Sequence, residues 1–348
     1  MRRKILFITG SINQTSQMHE ISKHLGDYDC WFSHLFPDTT LLKAVVKYTR
    51  LAEGTVLADH FRTKAENFLQ QHGMQIDYEG NKNKYDLVVF CTDMVVAEKF
   101  RQTKTIWVQE GMIDKLTFLT GIVKALSLPP YFTADTSLNG STNICDIYCT
   151  ASEGYKNYFT KLGTDAGKLI VTGIPNYDNQ CQYIDNDFPY HNYVMVATTD
   201  MRETYRFENR RAFIKKAVKM ANGRQMLFKL HPNEKIERAE AEIRKYAPAG
   251  TLVYNCGNTN HMIANCSELI TQYSTVVYTG IALGKKVYSY FDVEELKRLA
   301  PIQNGGASAK NIAQICSSYI NFAGKKEDFL TEFTFQPEIM QFPEVQYA

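Results

Sequence analysis

No apolar run in this chain approaches the roughly 20 residues that a membrane-spanning helix needs. The amino terminus begins as a secretion signal does, Met1-Arg2-Arg3-Lys4, but the apolar run Ile5-Leu6-Phe7-Ile8 stops at Thr9-Gly10, too short for a signal core. A charge excess is also missing: 39 basic residues face 37 acidic ones, a formal net charge of +2. This balance leaves no electrostatic footprint for nucleic acid. Cysteine pairs with metal-site spacing are lacking too. Of the eight cysteines only Cys145 and Cys149 lie close together, and no second pair accompanies them. Scattered thiols in apolar runs behave as small hydrophobes, which suits a reducing compartment, so the expectation is a cytoplasmic protein. Gly10-Ser11-Ile12-Asn13-Gln14 lacks the full glycine fingerprint of dinucleotide sites, so nicotinamide binding is not expected. Asp185-Asn186-Asp187 has the form of a metal-binding acidic triplet but lies in a polar linker rather than after a strand. Neither a metal nor a cofactor is expected.

What is present is an alternation of short apolar runs with amphipathic stretches. Residues 5–8, 86–91, 105–108, 144–148 and 169–171 read as strands of a first parallel sheet. A turn-rich stretch over residues 175–193 follows, and a second series begins at residue 193 with runs at 225–230, 251–254, 268–271 and 286–290. The length of 348 residues exceeds what one core usually organises. The expected architecture is α/β, with two doubly wound Rossmann-like domains facing across a cleft. Residues 1–185 form the first domain, 186–335 the second, and 336–348 a tail that is either frayed or a strap.

In open parallel sheets ligands bind at the carboxyl ends of strands, so the polar clusters that follow apolar runs are the candidates. Two stand out in the second half: Lys229-Leu230-His231-Pro232-Asn233 and, 43 positions after the histidine, Ser274 within Tyr273-Ser274-Thr275 with Gly280 behind it. Taken singly they also read as a surface turn and a helix cap. Together they place an imidazole and two hydroxyls where an anionic group could be held. Lys229 points to either face of its strand and is left without a role.

These motifs resemble bacterial glycosyltransferases of the GT-B type. The pattern is similar to CDP-glycerol glycerophosphotransferases, polysialyltransferases and capsule Kdo transferases, in which a His-Pro motif precedes a Ser-Ser or Ser-Thr motif. Residues 152–156, 162–165 and 168–178 resemble the segment that closes the amino-terminal domain in those enzymes and in UDP-N-acetylglucosamine 2-epimerases. The resemblance spans roughly residues 85–300, and within it the His-Pro to Ser-Thr spacing favours transferase over epimerase. It implies transfer from a nucleotide-activated donor, a cytidine nucleotide, to a glycan or lipid-linked surface-polysaccharide intermediate, an acceptor class compatible with peripheral membrane association.

The implied donor side comprises His231, Pro232, Tyr273, Ser274, Thr275 and Gly280, with Arg202 and Asn258 as further contacts. Arg202 stands in Thr199-Asp200-Met201-Arg202, one residue longer than the usual Thr-x-Arg. Donors aimed at a leaving phosphate stabilise the transition state, and His231 is able to protonate it. On the acceptor side, Gln109-Glu110-Gly111 follows the strand at 105–108, and Gly10-Ser11 forms the first loop. Glu110 is the candidate base; as a bland alternative it is an exposed loop residue. Alternatives for the whole chain are a sugar-nucleotide 2-epimerase and a non-catalytic assembly subunit.

Overall fold

The computed structural model describes residues 2–40, 42–44, 56–57, 59–133, 135–203 and 206–339. The chain divides into two compact units, residues 1–178 with 301–348, and residues 179–300.

The first unit is built on seven parallel strands: β1 (Lys4–Thr9), β2 (Asp29–His34), β3 (Gln75–Ile76), β4 (Leu87–Phe90), β5 (Lys104–Val108), β6 (Ile147–Thr150) and β7 (Leu169–Val171). Their order is β3-β2-β1-β4-β5-β6-β7. Ile5, Phe7, Leu87, Val89, Ile106 and Val108 are fully buried, as continuous apolar runs require when helices cover both faces of a sheet. The direction of winding reverses between β1 and β4, and such a reversal opens a crevice at the strand ends. Helix α1 (Ile12–Ser22) starts there with a capping box: the Ser11 hydroxyl accepts from the Gln14 N–H, and the Gln14 side chain reaches back to the cap backbone. Helices α2 (Asp59–Gln71), α3 (Phe118–Ala125) and α4 (Glu153–Leu162) follow within this unit.

The second unit holds β8 (Tyr193–Ala197), β9 (Met226–Lys229), β10 (Leu252–Tyr254), β11 (Cys266–Thr271) and β12 (Lys286–Tyr288), in the order β10-β9-β8-β11-β12. All pairings are parallel. Its helices are α5 (Arg210–Ala221), α6 (Ile236–Tyr246), α7 (Thr259–Asn265), α8 (Val276–Ala282) and α9 (Val293–Leu299). Here too the winding reverses at the first strand, between β8 and β11.

One expected boundary is corrected. The second domain does not run to residue 335, because the chain from Pro301 onward packs with the first unit. Helix α10 (Ser308–Asn321) buries Ile312, Ile315, Cys316, Tyr319 and Ile320 in the same cluster as Ile5, Phe7 and Val89. Its start is fixed by Asp178, whose carboxylate accepts from the Ser308 N–H at 2.7 Å. Lys104 Nζ donates to the carbonyls of Tyr319 and Phe322 near its end, at 2.8 and 2.6 Å. Gly173 is required at this crossing, since a Cβ there would lie 2.2 Å from Ser308 Oγ. Of the expected tail, residues 340–348 lie outside the described residues; Glu338 exchanges backbone hydrogen bonds with the Asn311 side chain of α10.

Strand β2, with the sequence Asp-Cys-Trp-Phe-Ser-His, and the two-residue β3 were not anticipated; β2 is no apolar run, since its buried half, Phe32 to His34, itself carries Ser33 and His34. In the linker, Asn186 is engaged locally, accepting from Phe188 N–H and Asn265 Nδ2 at 2.9 and 2.7 Å. Among the described residues no group of three or more His, Cys, Asp or Glu side chains is arranged to hold a metal ion.

Candidate functional site

In the first unit the loops after β1, β4 and β5 emerge on the side where the winding reverses. Gln14 ties two of them together. Its Oε1 accepts from the N–H groups of Gly10 (2.8 Å) and Ser11 (3.2 Å), and its Nε2 donates to Glu110 Oε2 at 3.4 Å. Gly10 is needed for this approach, because a Cβ would lie 2.7 Å from Val56 Cβ and 2.8 Å from Gln14 Oε1.

Glu110 retains partial solvent access, so it is neither the exposed loop residue of the bland alternative nor a sealed one. Protein nonetheless surrounds its carboxyl densely, and this burial raises its pKa, opposed by the Gln14 hydrogen bond. The same environment pushes the neighbouring Cys91 thiol up, first by burial and then by the Glu110 charge. A reachable carboxylate with raised basicity is what proton abstraction near neutral pH requires.

The flanking residues have structural duties. Gln109 is fully buried, donating to Gly111 O at 2.8 Å and accepting from Ala151 N–H at 2.9 Å, so its side chain braces the Glu110 loop rather than facing a ligand. Gly111 is buried and contributes through that carbonyl.

Two further strand-end residues were missed from sequence. Asp93, after β4, is buried and accepts from Gly140 N–H (2.7 Å), Thr142 N–H (3.0 Å), Thr142 Oγ1 (2.7 Å) and Tyr148 OH (3.1 Å). Burial raises its pKa although these donors favour the charged form. His34 ends β2. Its Nδ1 lies 2.8 Å from Leu35 O and must donate to it, leaving the lone pair on the buried Nε2. Burial lowers its pKa and keeps the ring neutral. The sequence signal that was available is position alone: each directly follows or ends a buried run.

In the second unit, His231 follows β9 and Ser274 follows β11, and both strands flank β8. With strands spaced by about 4.8 Å, the two loops bracket the end of β8 from roughly 10 Å apart. The backbone of residue 231 is anchored by its N–H, which donates to Glu234 Oε2 at 2.9 Å and Thr198 Oγ1 at 3.1 Å. The ring is half-exposed, its Nδ1 accepting from Asn233 N–H at 3.3 Å and lying 3.6 Å from Asp200 Oδ2. This arrangement puts the ring proton on Nε2, where it is available to an anionic oxygen.

Pro232, Tyr273 and Thr275 are exposed and Ser274 is half-buried beside the start of α8, its Oγ accepting at 3.5 Å from Val276 N–H. Lys229, left open from sequence, is buried with its Nζ on Leu230 O at 3.1 Å, and burial lowers its pKa.

Three residues expected on the donor side are otherwise engaged. Arg202 makes a bidentate pair with Glu242 at 2.8 and 2.9 Å, and its Nε lies 3.2 Å from Glu208, so its guanidinium is held between carboxylates. Glu242 lies on α6. Asn258 caps α7, accepting from the N–H groups of Asn260 and His261. Gly280 serves packing, as a Cβ would lie 2.8 Å from Leu269 Cδ2 and 2.9 Å from Val287 Cγ2. Gly280→Ala is expected to cost about 1–3 kcal/mol by overpacking α8 against β11 and β12, measurable by urea unfolding; an unchanged midpoint would show that the helix has room to move.

Behind the His231 loop lies a buried ionic network that the sequence did not announce. Glu234, only 6% exposed, accepts from Thr198 Oγ1 and from Arg210 Nη2 (2.5 Å) as well as from the residue 231 backbone. Arg210 also donates to Thr199 O at 3.0 Å and approaches Glu208 at 2.9 Å. Burial raises the pKa of Glu208, against the pull of Arg210 and Arg202. The network therefore ties the loops after β8 and β9 to the start of α5.

No family model matches the chain, and no curated protein matches it in sequence. Solved structures similar to it include a putative UDP-N-acetylglucosamine 2-epimerase from Listeria monocytogenes (12% identity, 98% of this chain and 100% of that one, TM-score 0.57). Similar too are S. aureus MnaA solved with UDP (12% identity, 98% and 100%, TM-score 0.55) and the UDP-GlcNAc 2-epimerase of Neisseria meningitidis bound to UDP-GlcNAc (14% identity, 90% and 99%, TM-score 0.53). Two parallel sheets, each reversing its winding beside its first strand, thus give this chain the two-domain Rossmann-like fold of the GT-B type.

Proposed function

We propose that the protein is a nucleotide-sugar-using enzyme, and specifically a transferase that moves a glycosyl or polyol-phosphate group from a cytidine-nucleotide donor to a surface-polysaccharide intermediate. The observation that carries this reading is the His231 loop: an imidazole whose Nδ1 accepts from the Asn233 N–H, on a loop backed by a buried network, with the Ser274-Thr275 hydroxyls across the end of β8 from it. Such a cluster suits a phosphate whose charge grows as the donor bond breaks. His231 donates a hydrogen bond through its Nε2–H to that phosphate as its charge grows. Glu110 removes the acceptor proton, its basicity raised by burial and its orientation fixed by Gln14. Arg202, Asn258 and Gly280 are not needed for contact with the donor.

His231→Ala and Ser274→Ala are each expected to weaken nucleotide binding about tenfold, read as a reduced thermal shift across CMP, CDP, UMP, UDP and GDP. The fold should survive, because residue 231 is anchored through its backbone. Wild-type shifts in both variants would refute the donor assignment.

A second reading, 2-epimerisation of a nucleotide sugar, is favoured by one observation: Asp93 and His34 also stand at the ends of strands beside β1 and its neighbours, so Glu110 is not the lone titratable group there. Against it, every carboxylate oxygen of Asp93 is engaged by protein donors. The two readings separate in deuterium oxide. A transferase releases nucleotide, faster with acceptor, whereas an epimerase incorporates solvent deuterium into the sugar of UDP-N-acetylglucosamine without net transfer.

A further inference from the structure

Seven large apolar side chains that lie open to solvent fall within 17 residues of one another: Leu116, Phe118, Leu119, Ile122, Leu126, Leu128 and Phe132. They surround α3, of which only Thr120 and Val123 are buried, so the helix shows solvent an apolar face made by Phe118, Leu119, Ile122 and Leu126. Phe118 is 87% and Leu126 64% exposed. A globular surface rarely leaves such a concentration uncovered without a partner.

The charges around it indicate which partner. No Asp or Glu occurs from residue 116 to residue 133. The bordering Asp114 and Asp135 turn their carboxylates onto Thr136 and Ser137. Lys115 and Lys124 are exposed on the segment itself. Lys124 Nζ reaches Leu162 O at 2.9 Å, which brings the end of α3 beside the end of α4, where Lys161 is exposed. The apolar face is therefore rimmed by cations. A second copy seated on it by a two-fold axis would present the same patch, with no Asp or Glu from residue 116 to residue 133 to pair with those lysines. An anionic bilayer surface instead supplies both the apolar interior and the opposite charge.

We infer that α3 and its flanks are a membrane-docking surface, through which the first unit rests on lipid bearing negative headgroups. The inference goes beyond the reaction proposed above and does not depend on it. Docking inserts Phe118, Leu119, Ile122 and Leu126 into the headgroup boundary and sets Lys115, Lys124 and Lys161 against the headgroups.

The test is flotation of the full-length protein with vesicles of phosphatidylcholine, with and without phosphatidylglycerol. Wild-type protein should float with the anionic vesicles, less with the neutral ones, and detach as salt is raised. Phe118→Ser and Leu126→Ser should each weaken binding about tenfold while leaving the thermal midpoint unchanged, since both side chains are already in water. In Phe118→Trp the added indole should shift its emission to the blue on anionic vesicles. Failure of wild-type protein to float would overturn the inference, as would a sedimentation dimer that Phe118→Ser dissociates while vesicles are ignored. No donor or acceptor enters these assays, so either failure leaves the transferase reading to its own tests.

Discussion

Glu110→Gln is expected to lower transfer by roughly a hundred- to ten-thousand-fold while leaving nucleotide binding intact. The substitution keeps the shape of the side chain and an oxygen able to accept from Gln14 Nε2, and it removes only the basic carboxylate. A stability signature of the opposite sign should accompany the loss. Burial raises the Glu110 pKa, so between the ordinary carboxylate value and the folded-state value the native protein holds more protons than the unfolded chain. Stability from this group is thus fully present at acid pH and is lost as pH rises through the folded-state pKa. The glutamine variant escapes that loss. It should unfold at a higher temperature than wild type at neutral pH, with the gap closing below about pH 4. The acid limb of the wild-type pH–rate profile should lie above the usual carboxylate range for the same reason. Measuring turnover, nucleotide affinity and thermal midpoint on one preparation checks all of this. Normal turnover would remove Glu110 from the chemistry, and a variant that loses stability and affinity together would make the loop structural.

Glu234→Ala should be the most damaging single substitution in the second unit, costing about 3–5 kcal/mol, because it leaves the Arg210 guanidinium buried without one of its carboxylates. It also strips an acceptor from the His231 N–H and from Thr198 Oγ1. Donor binding should fall with it, since the loop carrying the imidazole loses its anchor. Glu234→Gln keeps an oxygen for the His231 N–H and should recover part of the binding while remaining less stable than wild type. Because the chain has two units, the unfolding is best followed by hydrogen exchange resolved by segment, where loss of protection should concentrate at residues 226–246. A cost below about 1 kcal/mol would mean that the pair is solvated and the loop holds itself.

The residues of the candidate site differ in how local their signals are. His231 and Ser274 were legible because each directly follows an apolar run, and the end of a parallel strand is a position that sequence specifies by itself. Gln14 was half legible: Ser-x-x-Gln announces a capping box, but not that the same amide reaches Glu110 across 96 residues. Arg202 was legible only as a charge suited to phosphate, and nothing in its neighbourhood of sequence reveals that Glu242 and Glu208 enclose it. Arg210 heads a basic amphipathic helix, and only the structure shows that its side chain is buried.

The sequence alone determined the two parallel sheets and their strand-end loops, since buried strands write themselves as apolar runs and helices as a longer period. Only the tertiary structure decided that α10 crosses back to complete the first unit, that Asn258 caps a helix, Gly280 packs against two strands and Arg202 pairs with carboxylates, and that Glu234 holds the His231 loop. The reason is physical. Periodicity reports which side of an element faces the interior, whereas charge pairing and the choice of sheet depend on residues far apart in the chain, and those are brought together only by folding.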